Sequence, residues 1–171
     1  MDKKVMEKLN VRPDKRALKV LTVAAILILS SVLMHDGDHI RQAINWGYSI
    51  PVSLLVLNLT VYVFPVISIF LIRLERMSAT LVTAFAGIFT TAGFLILHLC
   101  GSASGLWGVW NYSYFDLIKG VTYNGVFYQG VDIISWIFLF EVPVLCIPSS
   151  IVAFMQYKRL LRELKEKSIE N

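Results

Sequence analysis

An all-α fold, a bundle of four transmembrane helices, is predicted by three features of this sequence. Apolar residues make up 56% of its 171 positions. They are gathered in four long blocks rather than scattered, and the Lys and Arg residues lie mostly beyond the ends of those blocks. The apolar share is too high for an ordinary soluble domain, and the length allows a single domain. Lipid cannot hydrogen-bond a free backbone amide, so each block must be helical to cross a bilayer.

The blocks cover residues 20–34, 50–72, 77–97 and 133–157. A hydrocarbon core of about 30 Å needs roughly 20 helical residues, and the last three blocks meet that. The first does not: its 15 uncharged residues span only about 22 Å. Either Lys19 snorkels or the helix continues through the charged segment that follows. The expected spans are therefore about 17–40, 50–72, 77–99 and 132–157, with a tail over 158–171. A cleaved signal peptide also begins with basic then apolar residues. No small-residue cleavage site follows Met34, however, so an uncleaved first span is expected.

Counting cations sets the orientation. Residues 1–19 carry seven Lys and Arg, the 73–76 turn two and the tail five, against Arg41 and Lys119 alone on the other side. Both termini are expected in the cytoplasm of a multi-pass cell-membrane protein. The net charge of +4 thus concerns the bilayer. No stretch interleaves basic and aromatic residues as a nucleic-acid groove does. The tail should extend the fourth helix, with Glu163 and Lys167 at i,i+4, as a solvated end near anionic headgroups or a partner-docking helix. Cys100 and Cys146 fit no metal-thiolate spacing, and no disulfide between them is expected.

Residues 100–130 form a long outer loop with two Trp, four Tyr, two Phe and six Gly. Rings with polar tips favour the membrane interface. The loop reads as an aromatic belt or as a lid over the bundle mouth, with a short helix near Tyr114 to Lys119. Gly101-Ser102-Ala103-Ser104-Gly105 lacks the Lys of a phosphate loop and reads as a turn.

The chemistry-bearing segment is His35-Asp36-Gly37-Asp38-His39-Ile40-Arg41-Gln42. At about 100° per residue, Ser31, His35, Asp38, His39 and Gln42 share one helical arc of about 100°. Two His at i,i+4 can grip one metal ion. His98, at the outer end of span three, and Asp132, opening span four, fall at the same level. The expected ligands are His35, His39, His98, Asp38 and Asp132, with Asp36, Arg41 and Gln42 as outer residues that orient them. Imidazole and carboxylate suit a divalent metal, zinc first, with copper or iron as alternatives. Three other readings compete: a polar cap that fixes helix packing, a haem between His98 and His35 or His39, and a proton or ion pathway.

Glu141 is the one carboxylate deep in a span, facing away from Asp132. It is either functional or hydrogen-bonded to a neighbour such as Asn58. Thr83, Gly87, Thr91, Phe94 and His98 form a stripe whose small residues permit close helix packing. There is no GxSxG, Walker loop or dinucleotide fingerprint.

The His35–Gln42 segment closing span one, His98-Leu99 closing span three and Asp132-Ile133-Ile134-Ser135-Trp136 opening span four resemble a group of small bacterial four-span membrane proteins. That resemblance implies the bundle but no activity. The expected function is an outward-facing His/Asp metal site in an integral membrane protein. The alternatives are an accessory subunit of a membrane complex or a homo-oligomer, and a small proton-coupled carrier using Glu141. Whether the protein is an enzyme is left open.

Overall fold

The computed structural model describes the backbone of residues 12–170 and the side chains of residues 12–166. Lys3, Lys4 and Lys8 of the basic start, and the side chain of Lys167, lie outside that range. Four helices are long and apolar enough to cross a membrane. They are α1 (Lys15–Trp46), α2 (Val52–Arg73), α3 (Ser78–Cys100) and, last in the chain, α5 (Ile133–Glu170). Between α3 and α5 lie a 3-10 turn (Gly108–Asn111), the short helix α4 (Tyr114–Lys119), and strands β1 (Val121–Tyr123) and β2 (Val126–Tyr128).

The first span does not stop at the charged segment. α1 runs unbroken for 32 residues, about 48 Å, through Gly37 and on to Trp46. Of the two ways to lengthen the short apolar block, the chain takes the second. Its start is fixed by Asp14, whose carboxylate accepts the Ala17 N–H at 2.7 Å, and its end by Gly47 in the left-handed region (φ +60), where glycine carries no Cβ penalty. The polar arc read from the sequence does face the interior, because Ser31, His35, Asp38 and Gln42 are all buried.

α3 and α5 pack most closely. A Cβ on Gly87 would run into Ser150 Oγ and the Cys146 carbonyl, so only glycine allows this approach. Buried Thr83, Thr91 and Phe94 continue the same stripe. Between lipid-facing helices there is little hydrophobic drive, so such close contact supplies much of the association. Pro143 and Pro148 lie inside α5 without ending it. The surface turned outward carries exposed Val23, Leu33, Val56, Leu59, Ile88, Ile137 and Val144, the apolar jacket that lipid contact demands.

α2 is the exception to tight packing. Its buried residues are Pro65, Ser68 and Ile72, all in the half nearer α3's start. Before them, Val61, Tyr62 and Phe64 are partly buried against the core, and most of residues 52–60 are exposed. The chain between α3 and α5 meanwhile folds back over the bundle: Tyr114, Leu117, Val109 and Tyr128 join the same buried cluster as Ile28, Phe94 and Leu139. The expected helix falls on Tyr114–Lys119 and is closed by a Ser113/Asp116 capping box. A hairpin pairs Val121 with Tyr128 and Tyr123 with Val126. It turns at Asn124 and Gly125, which both have positive φ. Asn-Gly between β-prone residues is a strong hairpin signal, and reading the segment as loop alone missed it.

Candidate metal centre

α1 and α3 bring all three histidines of the chain together at the loop-bearing end of the bundle. His98 Nε2 lies 3.1 Å from His35 Nε2 and 3.1 Å from His39 Nε2. The three potential ligand atoms sit within 4.8 Å of one another. Among the described residues this is the group of His, Cys, Asp and Glu placed to share a metal ion. His35 is fully buried, and Phe94 packs edge-on against its ring at 4.4 Å. Trp110 covers His39 at 5.4 Å and Tyr114 covers His98 at 4.8 Å. The aromatic segment therefore closes directly over the histidines.

The hydrogen bonding sharpens the chemistry. The Phe94 carbonyl lies 2.7 Å from His98 Nδ1 and accepts that proton, one helical turn back. A neutral ring then has one lone pair, at Nε2, yet two other Nε2 atoms converge on it. One lone pair cannot serve two ring N–H donors in plane. A single cation among the three nitrogens satisfies all of them at once. With metal–nitrogen bonds of about 2.0–2.1 Å, tetrahedral ligands sit roughly 3.3–3.4 Å apart, close to the 3.1 Å that His98 makes with each of the other two, while the group as a whole spans up to 4.8 Å. His39 Nδ1 and His35 Nδ1 are buried without a well-formed hydrogen bond. Their polar neighbours are the Gln42 side chain and the Phe138 backbone. Such acceptors orient metal-bound imidazoles.

No known protein family, curated protein or solved structure matches this chain.

The carboxylates expected as ligands are engaged elsewhere. Arg41 donates to Asp38 through Nε at 2.8 Å, and to Asp132 through Nη1 and Nη2 at 2.8 and 2.9 Å. Arg41 also reaches Ser135 Oγ at 2.9 Å. Gln42 completes the knot, donating to Asp38 at 2.9 Å and Ser135 at 2.9 Å, with Tyr114 at 3.3 Å. A guanidinium that faces two carboxylates makes strong charge-assisted hydrogen bonds to both. Asp38 and Asp132, expected among the ligands, lie outside the three-histidine group and form an ionic lock between α1 and α5 through Arg41. The Arg41 guanidinium, aided by the Ser135 backbone N–H, holds the Asp132 carboxyl below its ordinary value.

Asp36 turns away from the knot toward α2. Its Oδ2 accepts from Asn58 Nδ2 at 2.8 Å and from the Tyr62 hydroxyl. Oδ1 is buried with no hydrogen-bond partner among the described residues. Asn58 therefore serves Asp36 and not Glu141. Glu141 lies outside the histidine group, half-buried, with Oε2 likewise lacking a partner among the described residues. A cavity of about 260 Å³ opens beside the histidines, and Asp36, His39 and His98 form part of its wall. Sequence reasoning had missed Tyr62, Tyr114, Ser135 and the Phe94 carbonyl. The spacing of Tyr62 one turn after Asn58 was the available signal.

Proposed function

We propose that this protein is an integral membrane protein that binds one divalent metal ion, zinc in first place, through His35, His39 and His98. The observation that carries the reading is the convergence of three Nε2 atoms, with His98 3.1 Å from each of the other two. Three protein ligands with an open fourth side suit a site that exchanges water or substrate more than a purely structural one, which is closed by four. Here the open side is the cavity lined by His39 and His98. The site stands at the non-cytoplasmic face, with both termini in the cytoplasm. The cation asymmetry supports that orientation.

Arg41, Asp38 and Asp132 act on this site by position. They lock α1 to α5 and keep the His35–His39 turn facing α3. Elemental analysis of the protein purified without added metal tests the reading. One equivalent per chain is expected in the wild type and less than a tenth of that in His35→Ala, His39→Ala or His98→Ala, all with intact folding in detergent. A wild type devoid of metal, which also takes up none on dialysis against zinc, defeats it.

A further inference from the structure

The cavity beside the histidines has a particular shape and chemistry. It lies where α2 meets α1 and α3: α2 is buried at Pro65, Ser68 and Ile72 and partly buried at Val61, Tyr62 and Phe64, while Leu54, Leu57 and Val61 face the open space. Its wall is mostly apolar, with Leu54, Val61, Phe89 and Leu97 among the lining residues, and it also carries Asp36, His39, His98 and Asn58; Asp36 bonds Asn58 and His98 adjoins His39. An apolar chain of hydrocarbon-like groups fits the long wall; water does not, since it finds too few partners there.

The polar end restricts the head group. Asp36 Oδ1 is a buried acceptor without a partner among the described residues, and so calls for a donor. An anionic head would meet the Asp36 carboxylate at close range. An ion held by the three imidazoles calls for a lone pair, which an ammonium lacks. A hydroxyl supplies both a proton to Asp36 and a lone pair to the metal. We infer that the cavity binds a single-chain aliphatic alcohol, its hydroxyl between the metal centre and Asp36 and its tail along α2 and α3. The inference deepens the metal-site reading and rests on it for half of the head-group contact.

Gly93 offers a clean test, because it lines the cavity and a Cβ there meets nothing within 4 Å. A leucine at this position starts into open space at Cβ and extends into the cavity; unchanged zinc content and melting temperature of Gly93→Leu check that its fold is intact. The zinc-loaded protein in lipid nanodiscs is irradiated with 1-dodecanol carrying a mid-chain diazirine, and the labelled residues are mapped by peptide mass spectrometry. Labelling is expected on cavity residues such as Phe89 and Leu97, competed by excess 1-dodecanol but not by dodecane. It falls at least tenfold in Gly93→Leu. Competition weakens about tenfold in Asp36→Ala and after zinc removal, the loss expected for one hydrogen bond to a charged group or one ligand contact. Labelling that spreads over the lipid-facing residues and is unchanged by Gly93→Leu overturns the inference, while one zinc per chain in the same sample leaves the metal reading standing. Competable cavity labelling in a protein that takes up no zinc supports the occupant and overturns the metal reading alone.

Discussion

Arg41 shows how much one side chain decides at the loop-bearing end. Asp38 is fully buried in its side chain, and the Arg41 Nη2 lies 2.7 Å from it. The same guanidinium makes a two-pronged contact with Asp132. A planar fork can face both carboxylates; a lysine ammonium, a point charge on a flexible stem, cannot match that geometry. Arg41→Lys should therefore destabilise the bundle by on the order of 2–3 kcal/mol, less than the roughly 3–5 kcal/mol for removing a buried charge's partner outright, because lysine keeps the charge and the Asp132 contact is partly exposed. A lowered midpoint in a denaturing-detergent titration reports it, and an unchanged midpoint contradicts the lock. His98 rests on a quieter support, the Phe94 carbonyl. Backbone carbonyls cannot be read from residue identity, so this contact had no signature in the sequence beyond helical spacing.

Among the elements, α1 carries most of the information. Its apolar block is too short to cross alone, and the His35–Gln42 segment completes it as helix. Gly37 sits mid-helix on the exposed side, and a Cβ there meets nothing within 4 Å. Glycine costs a helix interior about 1 kcal/mol relative to alanine, so Gly37→Ala should raise thermal stability in detergent by about that much, with zinc content unchanged. A loss of stability would mean that α1 bends at this point. The helical phase of Ser31, His35, Asp38 and Gln42 was legible because 3.6-residue periodicity alone assigns residues to a face. The pairing of Asp36 with Asn58 and Tyr62 was only hinted at, by the i,i+4 spacing of those two on α2; the rest of α2 is apolar nearly all round, which leaves its rotation about its own axis weakly marked.

At the scale of the whole molecule, α1 and α5 are clasped at both ends. Arg41 meets Asp132 at one, and at the other Arg159 donates to Asp14 at 2.7 Å. Hydrogen bonding from Arg159 and from the Ala17 N–H holds Asp14 below its ordinary value, as Arg41 does Asp132. A carboxyl whose folded value is depressed stabilises the fold fully above its unfolded value, 3.8 for both groups, and loses that contribution as pH falls through the lower folded one. Melting temperature should accordingly decline below about pH 4, and Asp14→Asn or Asp132→Asn should flatten that acid limb; identical limbs in wild type and variants refute the clasps. Orientation can be read from Cys100, which is exposed at the end of α3, while Cys146 is buried. A membrane-impermeant maleimide should label Cys100 in intact cells, and labelling only after lysis reverses the proposed topology. The sequence alone determined four apolar helices, the inward face of α1 and the shared level of the histidines, because hydrophobic length and helical phase are local properties of a chain. Only the tertiary structure decided that three imidazoles meet while Asp38 and Asp132 go to Arg41. Which of several equally near polar groups pair depends on distances of an ångström or two between helices, and those arise from packing such as that at Gly87, far from the residues concerned.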